Sequence, residues 1–455
     1  ALGYGLSFPL SEIDILRDCV NVYCEWLTAL LPNSKSSVPA PILNDPNHYA
    51  RIIINHFYYL FVPRGAQGPD VINRQAVLCH RVLRTLQNIA QNSEFLNEDT
   101  WQTLLLFLLH INSALLSPPT VKDDAGEQLC DRVLSVLFET WLLACSRCFP
   151  PPPLWNALRE SCQRWRHRSG LIDQWNRTNF ALTAKLISFM YGPSFPGITI
   201  SSEEDLSIIP PTMSRDCIAQ VWYRLLHIIG NPVDLSRHTV ISKTPAFLKY
   251  AISSELVIEP SQHPCLQMLP HIFLTAMKGV SGLVDAFLGV PNTSLEALQR
   301  KGRTLSTAST ASLTPDLKSE GIDAVRSLAH GRPKVNSVLH LFGPWLFEAA
   351  LINCVLQHNA LAQHKADGVS SGPPSNSSGS GSTRRPVSIF GNIGGAVDGS
   401  SGNSRKTSDS SSGHGDQSHR SSLGPGDLGP PSDRLAYLAP EHFQAGRAEA
   451  LGALC

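Results

Sequence analysis

The chain has 455 residues, of which 42% are hydrophobic and 16% are charged, and its 37 basic residues balance 37 acidic ones. This length suffices for more than one ordinary domain, and the apolar content is ample for a buried core. The zero formal charge excludes a bulk attraction to nucleic acid or to an anionic membrane, so the sequence predicts no nucleic-acid partner.

The first predicted helix begins at Ser11, which together with Asp14 is typical of a capping box. The serine hydroxyl can accept a hydrogen bond from a free backbone N–H, and the carboxylate favours the positive end of a helix. Apolar residues then recur at three- and four-residue steps: Ile13, Leu16, Val20, Tyr23, Leu27 and Leu30. Pro32 ends the helix, because proline disfavours helical backbone in the residue before it.

Further helices follow, separated by Pro, Gly and Ser, with Asn97 and Ser214 as predicted caps. They span approximately 45–63, 70–91, 97–116, 124–148, 153–167, 170–190, 214–229, 245–256 and 265–288. Alternating strand patterns are nearly absent. The most apolar run, 104–109, is far shorter than the roughly 18 residues that a membrane span needs, so no transmembrane segment is predicted.

These patterns predict an all-α fold, an irregular HEAT- or armadillo-like helical solenoid with long disordered insertions. The predicted organisation is a solenoid over 1–290, a flexible Ser/Thr-containing linker over 291–332, a helical segment over 333–362 that docks on the solenoid, a disordered Ser/Gly-rich insert over 363–433 and the start of a further helical segment over 434–455. Within 333–362, the pair Gly343–Pro344 predicts a kink or a split. A first residue that is not Met and a helical end at Cys455 indicate a piece of a longer protein.

Groups suited to chemistry are sparse, and the sequence predicts no catalytic residue, no metal site and no cofactor. The pair Cys145 and Cys148 has the CxxC spacing, but no second pair follows at zinc-finger spacing, so a structural helix end is predicted. His414 and His419 lie in flexible sequence and are not predicted to bind metal. The 11 cysteines are spread over apolar helical positions, which favours free thiols and a cytoplasmic location.

One segment is both basic and aromatic. It contains Arg159, Arg164, Arg166, His167 and Arg168, interleaved with Trp155, Trp165 and Trp175. Such a segment can bind phosphates and stack bases, or it can attract a lipid surface or an acidic protein. The ordinary alternative, which we favour, is an amphipathic helix with tryptophan in the core and arginine on the solvated face.

Three serines follow an arginine by three residues in predicted disordered sequence: Ser306, Ser388 and Ser408. This spacing suits a basophilic kinase, so all three are candidate phosphorylation sites. A phosphate there adds about −1.5 to −2 charge, which predicts a phosphoserine reader as a further partner.

Several long strings of unusual composition resemble the family of beta subunits of Ral GTPase-activating complexes. They are LFVPR at 60–64, TWQTLLLFLLHIN at 100–112, LLSPPTV at 115–121, VLFETWLLACSRCFP at 136–150, YGPSFP at 191–196, NPVDLS at 231–236, PCLQMLPHIF at 264–273, GLVDAFLG at 282–289, RPKVNSVLHLFGPWLF at 332–347 and AGRAEALGALC at 445–455. The resemblance covers the predicted ordered part of the chain and falls away in the two Ser-rich segments.

The resemblance implies a non-catalytic scaffold or regulatory subunit of a heterodimeric complex. Such a subunit assembles with a catalytic alpha subunit, which supplies an asparagine to the GTPase, and so stimulates GTP hydrolysis by Ral-type small GTPases. The GAP-like domain of the family lies beyond this sequence, so no catalytic residue transfers to it. The alternative function is an armadillo-like trafficking or transport adaptor that binds peptide segments of partner proteins.

Overall fold

The computed structural model describes residues 2–33, 37–62, 68–119, 125–192, 195, 207–251, 260–290, 331–352 and 440–455. Eleven helices of ten or more residues lie in these ranges: α1 (Ile13–Trp26), α2 (Pro46–Phe61), α3 (Pro69–Asn92), α4 (Glu98–Leu116), α5 (Ala125–Arg147), α6 (Pro152–Arg164), α7 (Ser169–Tyr191), α8 (Arg215–Leu226), α9 (Leu269–Leu288), α10 (Val335–Ala350) and α11 (Gln444–Leu454). Shorter helical turns join them, and the described residues contain no strand. The predicted all-α class is therefore confirmed for this part of the chain.

Helix boundaries agree with the predicted ones where a side chain caps the helix. Asn97 accepts a hydrogen bond from the backbone N–H of Thr100 (2.9 Å), and Ser214 accepts one from Cys217 (3.2 Å). The predicted capping box at Ser11 is wrong. Residues Leu10–Glu12 form a 3₁₀ turn that leads into α1, and no side chain caps that helix.

Alternate helices pack against one another along the chain. Helix α3 contacts α1 and α5, α5 contacts α3 and α7, and α7 contacts α5 and α9, while α2 packs on α4 and α4 on α6. This arrangement is typical of stacked helical hairpins, in which each hairpin buries its apolar faces against its neighbours. The contacts are compatible with a solenoid, which stays the predicted architecture.

Among the residues described, one stretch, 264–288, is long and apolar enough to be a candidate for a membrane span. It consists of the 3₁₀ turn Pro264–Met268 and α9. In the apolar window of this stretch, 56% of the residues are buried inside the protein, and α9 packs on α7, α10 and α11. These contacts are those of a core helix.

Helix α10 runs through Pro344 without a break, so the predicted split at Gly343–Pro344 is wrong. Its Glu348 joins the helix to a loop that follows α8. The carboxylate accepts hydrogen bonds from Asn231 (2.8 Å) and Arg237 (2.6 Å), and Asp234 in the same loop pairs with Arg166 (3.1 Å). The segments 291–330 and 353–439 lie outside the described residues, and the domain boundaries predicted there remain predictions.

Two glycines of α11 provide a matched test of how this helix packs. A Cβ atom on Gly446 would lie 2.5 Å from Cδ1 of Phe273, whereas one on Gly452 would have no neighbour within 4 Å. We expect Gly446→Ala to destabilise the contact between α11 and α9 by about 1–2 kcal/mol, because the buried Phe273 ring would have to move. Hydrogen–deuterium exchange over 444–454 should therefore accelerate in Gly446→Ala and not in Gly452→Ala. Equal exchange in the two variants would contradict this packing.

Candidate functional site

The candidate phosphorylation sites Ser306, Ser388 and Ser408 lie outside the described residues, as do His414 and His419. Their structural setting therefore stays as predicted from the sequence. Among the residues that are described, no group of three or more His, Cys, Asp or Glu side chains could hold a metal ion.

The CxxC pair lies at the carboxyl end of α5, as predicted. Cys145 is buried, and the carbonyl of the same residue accepts a hydrogen bond from the Cys217 thiol of α8 at 3.4 Å. Burial raises the pKa of both thiols of the pair, that of Cys148 to about 11. Both groups are therefore protonated thiols at neutral pH, and the thiol is neither the nucleophilic nor the metal-binding form.

The basic and aromatic segment divides into two parts. Arg159 and Arg164 are exposed, as predicted, but the prediction of a solvated arginine face is wrong for Arg166, His167 and Arg168, which are all buried. The reason is that these three residues lie in the turn between α6 and α7, where Arg166 pairs with Asp234 and Arg168 closes the end of a neighbouring helix.

Arg168 carries out this closure with three different nitrogen atoms. They donate to the carbonyls of Leu116 (3.4 Å) and Pro118 (3.2 Å) and to the Glu127 carboxylate (2.8 Å). Leu116 is the last residue of α4, whose final carbonyls have no partner within the helix. The indole of Trp165 adds a hydrogen bond to Ser117 at 3.0 Å. The segment therefore holds α4, α5 and the α6–α7 turn together.

The tryptophans of this segment are core residues, as predicted. Trp155, Trp165 and Trp175 are each at most 4% exposed. The Trp175 indole donates to the carbonyl of Leu225 on α8 at 3.0 Å, so α7 and α8 are joined by a buried polar contact as well as by apolar packing.

A cavity on the adjoining surfaces of α3, α5 and α7 is the candidate interaction site. We call it the groove; it encloses about 570 Å³. Its lining combines polar, charged and apolar side chains from these helices and from the segment before α8: Gln91, Glu139, Leu143, Ser146, Arg147, Arg177, Ser207, Ile208, Pro210, Pro211 and Thr212. Polar and charged side chains outnumber the apolar ones in this lining, and concave surfaces that combine the two kinds are common places for binding.

Glu139 of α5 links the three helices beneath the groove. Its carboxylate accepts hydrogen bonds from Gln87 of α3, from Ser135 of α5 (2.9 Å) and from Arg177 of α7 (2.9 Å). The ion pair with Arg177 is well shielded, since the two side chains are 15% and 25% exposed. These contacts fix the relative position of the helices and leave the carboxylate well supplied with donors.

A strip of basic side chains continues from this cluster along α3 and α5. We call His80, Arg84 and Arg132 the basic strip. Arg132 donates to the side-chain carbonyl of Gln87 at 2.6 Å, which connects the strip to Glu139. Burial lowers the pKa of His80, and the charges of Arg132 and Arg84 lower it further, so this imidazole is neutral at pH 7 and the positive charge of the strip comes from the two arginines. The surface is therefore locally positive although the chain as a whole is neutral.

Reasoning from the sequence did not identify the groove or the basic strip. Gln87, Glu139 and Arg177 belong to three different helices, and their spacing along the chain contains no sign that they meet. The one available signal was the helical face Arg132, Ser135 and Glu139, whose three- and four-residue steps place polar groups on one side of α5.

Comparison with known proteins finds a family match over part of this surface. Residues 71–193 match the RALGAPB N-terminal domain. This range begins in α3 and ends just after α7, so it contains the basic strip and all groove residues except those that precede α8. The groove is thus built largely within the matched domain.

Longer similarities extend beyond that domain. Over 403 residues the chain is 43% identical to the Ral GTPase-activating protein subunit beta of Mus musculus and to that of Homo sapiens. Each alignment covers 79% of this chain and 26% of the relative. A Rap-GAP domain-containing protein of Dictyostelium discoideum is 26% identical over 286 residues, or 62% of this chain and 13% of that protein. The chain thus spans about a quarter, 26%, of the length of the first two relatives. No solved structure matches it.

Proposed function

This chain is a relative of the Ral GTPase-activating protein beta subunits and carries their amino-terminal domain, and from this premise we propose that it acts as a non-catalytic subunit of a Ral GTPase-activating complex. It assembles with a catalytic alpha subunit and is needed with that subunit to stimulate GTP hydrolysis by a Ral-type GTPase. The 43% identity over 403 residues carries this proposal.

The fold supports a role in assembly. The matched domain builds a stack of long helices, joined by the contacts of Glu139 and Arg168, and its groove offers a concave surface to another protein. Stacked helices are well suited to this task, because each adds surface without requiring a reactive site. Ten cysteines of the described residues are free thiols, which supports action in the reducing cytoplasm.

Co-expression with the catalytic alpha subunit tests the proposal. We expect the two chains to co-purify, and we expect single-turnover GTP hydrolysis by Ral to be faster with the pair than with either chain alone. The control is the chain by itself, which should leave the intrinsic hydrolysis rate of Ral unchanged.

Two results would overturn the proposal. One is failure to co-purify together with an unchanged hydrolysis rate, and mass spectrometry of captured proteins would then show whether transport cargo is bound instead. The other is faster hydrolysis with this chain alone, because that would make it catalytic.

A further inference from the structure

We propose that the groove and the adjoining basic strip bind an acidic polypeptide segment of a partner protein. Its carboxylates lie near Arg84 and Arg147, and its apolar side chains lie against Leu143. This inference goes beyond the proposed function, because it concerns the chemistry of the bound segment and does not depend on which partner supplies it.

The balance of charge on this surface favours an acidic ligand. Among the described residues that form them, the groove and the strip bring together four arginines but one carboxylate, that of Glu139, while His80 is neutral. Glu139 already accepts hydrogen bonds from three side chains. Arg84 and Arg147 are exposed and form no ion pair within the described part of the chain, so their charges are available to a ligand. Complementary charge increases both the rate and the specificity of association.

The position of the two arginines gives the ligand a minimum extent. Arg147 lines the groove at the end of α5, whereas Arg84 lies on α3 in the basic strip, on the far side of the Gln87–Glu139 contact. Arg147 and the strip residue Arg132 are 15 residues apart on α5, roughly 22 Å at about 1.5 Å per helical residue, so a single small anion cannot contact both ends of this surface. A polypeptide segment can place successive carboxylates along this line.

The shape and lining of the groove support a protein ligand over other anionic partners. Its wall is apolar at Leu143, Ile208, Pro210 and Pro211, which suits the side chains of a peptide. An anionic membrane would instead contact a protruding apolar face flanked by cations. A single-stranded nucleic acid would need aromatic side chains for stacking, and the described groove lining contains none.

A peptide-display selection on the full chain tests the inference. The variant Arg84→Glu/Arg147→Glu is the counter-selection. The matched control is Arg74→Glu/Arg159→Glu, which changes the net charge equally at exposed positions outside the groove lining. Selected peptides should contain several Asp or Glu residues together with apolar residues. Their affinity should fall about tenfold or more in the groove variant, stay unchanged in the control and weaken with added salt. Circular dichroism checks that both variants are folded.

The opposite outcomes would overturn the inference. They are a selection that enriches neutral or basic peptides, or acidic peptides whose affinity is equal for the chain and the groove variant. Flotation with phosphatidylserine vesicles tests an anionic membrane as the alternative ligand. Vesicle binding that depends on Arg84 and Arg147 would overturn the peptide proposal and would show that this surface binds a membrane. Neither assay contains the catalytic subunit or the GTPase, so their failure is distinct from failure of the proposed function.

Discussion

Replacing Arg168 with alanine should lower the free energy of unfolding by about 3 kcal/mol. The side chain is buried and donates to the carbonyls of Leu116 and Pro118 as well as to Glu127. Its removal leaves two backbone carbonyls near the end of α4 without this donor and opens a cavity in the α6–α7 turn. Glu127 contributes less to the loss, because its side chain is 63% exposed and water can solvate the carboxylate.

Urea unfolding followed by tryptophan fluorescence measures this loss, and two further variants identify its cause. Arg168→Lys keeps the charge, but the lysine cannot reach three acceptors at once. Its free energy of unfolding should therefore also be lowered, by much of the amount expected for Arg168→Ala. Arg159→Ala removes an exposed arginine and should change stability by no more than about 0.5 kcal/mol. Full stability of Arg168→Lys would show that charge alone matters and that the donor geometry does not.

The buried arginines also show where reasoning from the sequence fails. The periodicity of apolar residues predicted the helices and placed Trp165 and Trp175 in the core, because burial of large apolar groups follows from spacing along one helix. The same reasoning placed Arg166 and Arg168 in solvent, since an isolated arginine is costly to bury. What offsets this cost is long-range: the acceptors of Arg168 lie 41 to 52 residues earlier in the chain, and Asp234 lies 68 residues after Arg166.

The groove was unpredictable for a related reason. Helical periodicity gives the face on which Glu139 lies, but not the partner helix or the register between helices. Register depends on side-chain contacts such as Arg177 with Glu139 and on close approaches such as Gly279 with Asn176, where a Cβ atom would lie 1.8 Å from the amide oxygen. Asn176 also donates a hydrogen bond to the carbonyl of Thr275, 99 positions further along the chain, and no local pattern contains contacts of such range.

Acidification should destabilise the fold through His167, by about 3 kcal/mol between pH 7.5 and pH 4.5. Burial and the neighbouring Arg168 and His263 together lower the pKa of this imidazole from its ordinary value of 6.5 to about 3. The unfolded chain therefore binds a proton below about pH 6.5 that the folded chain does not accept until about pH 3. The contribution of neutral His167 to the free energy of unfolding is complete above the ordinary pKa of the imidazole. It is lost as the pH falls from that value towards the pKa in the folded chain.

Urea unfolding at pH 7.5 and pH 4.5 measures the effect, and His167→Leu should reduce the difference between the two conditions by about 3 kcal/mol. Leucine is of similar size and apolar, so it can occupy the site beside the Phe247 ring, whose centroid lies 5.9 Å from that of the imidazole. The matched control His48→Leu removes an exposed histidine and should leave the difference unchanged. An acid sensitivity that persists in His167→Leu would mean that other groups cause it, with the buried His263 as the next to replace.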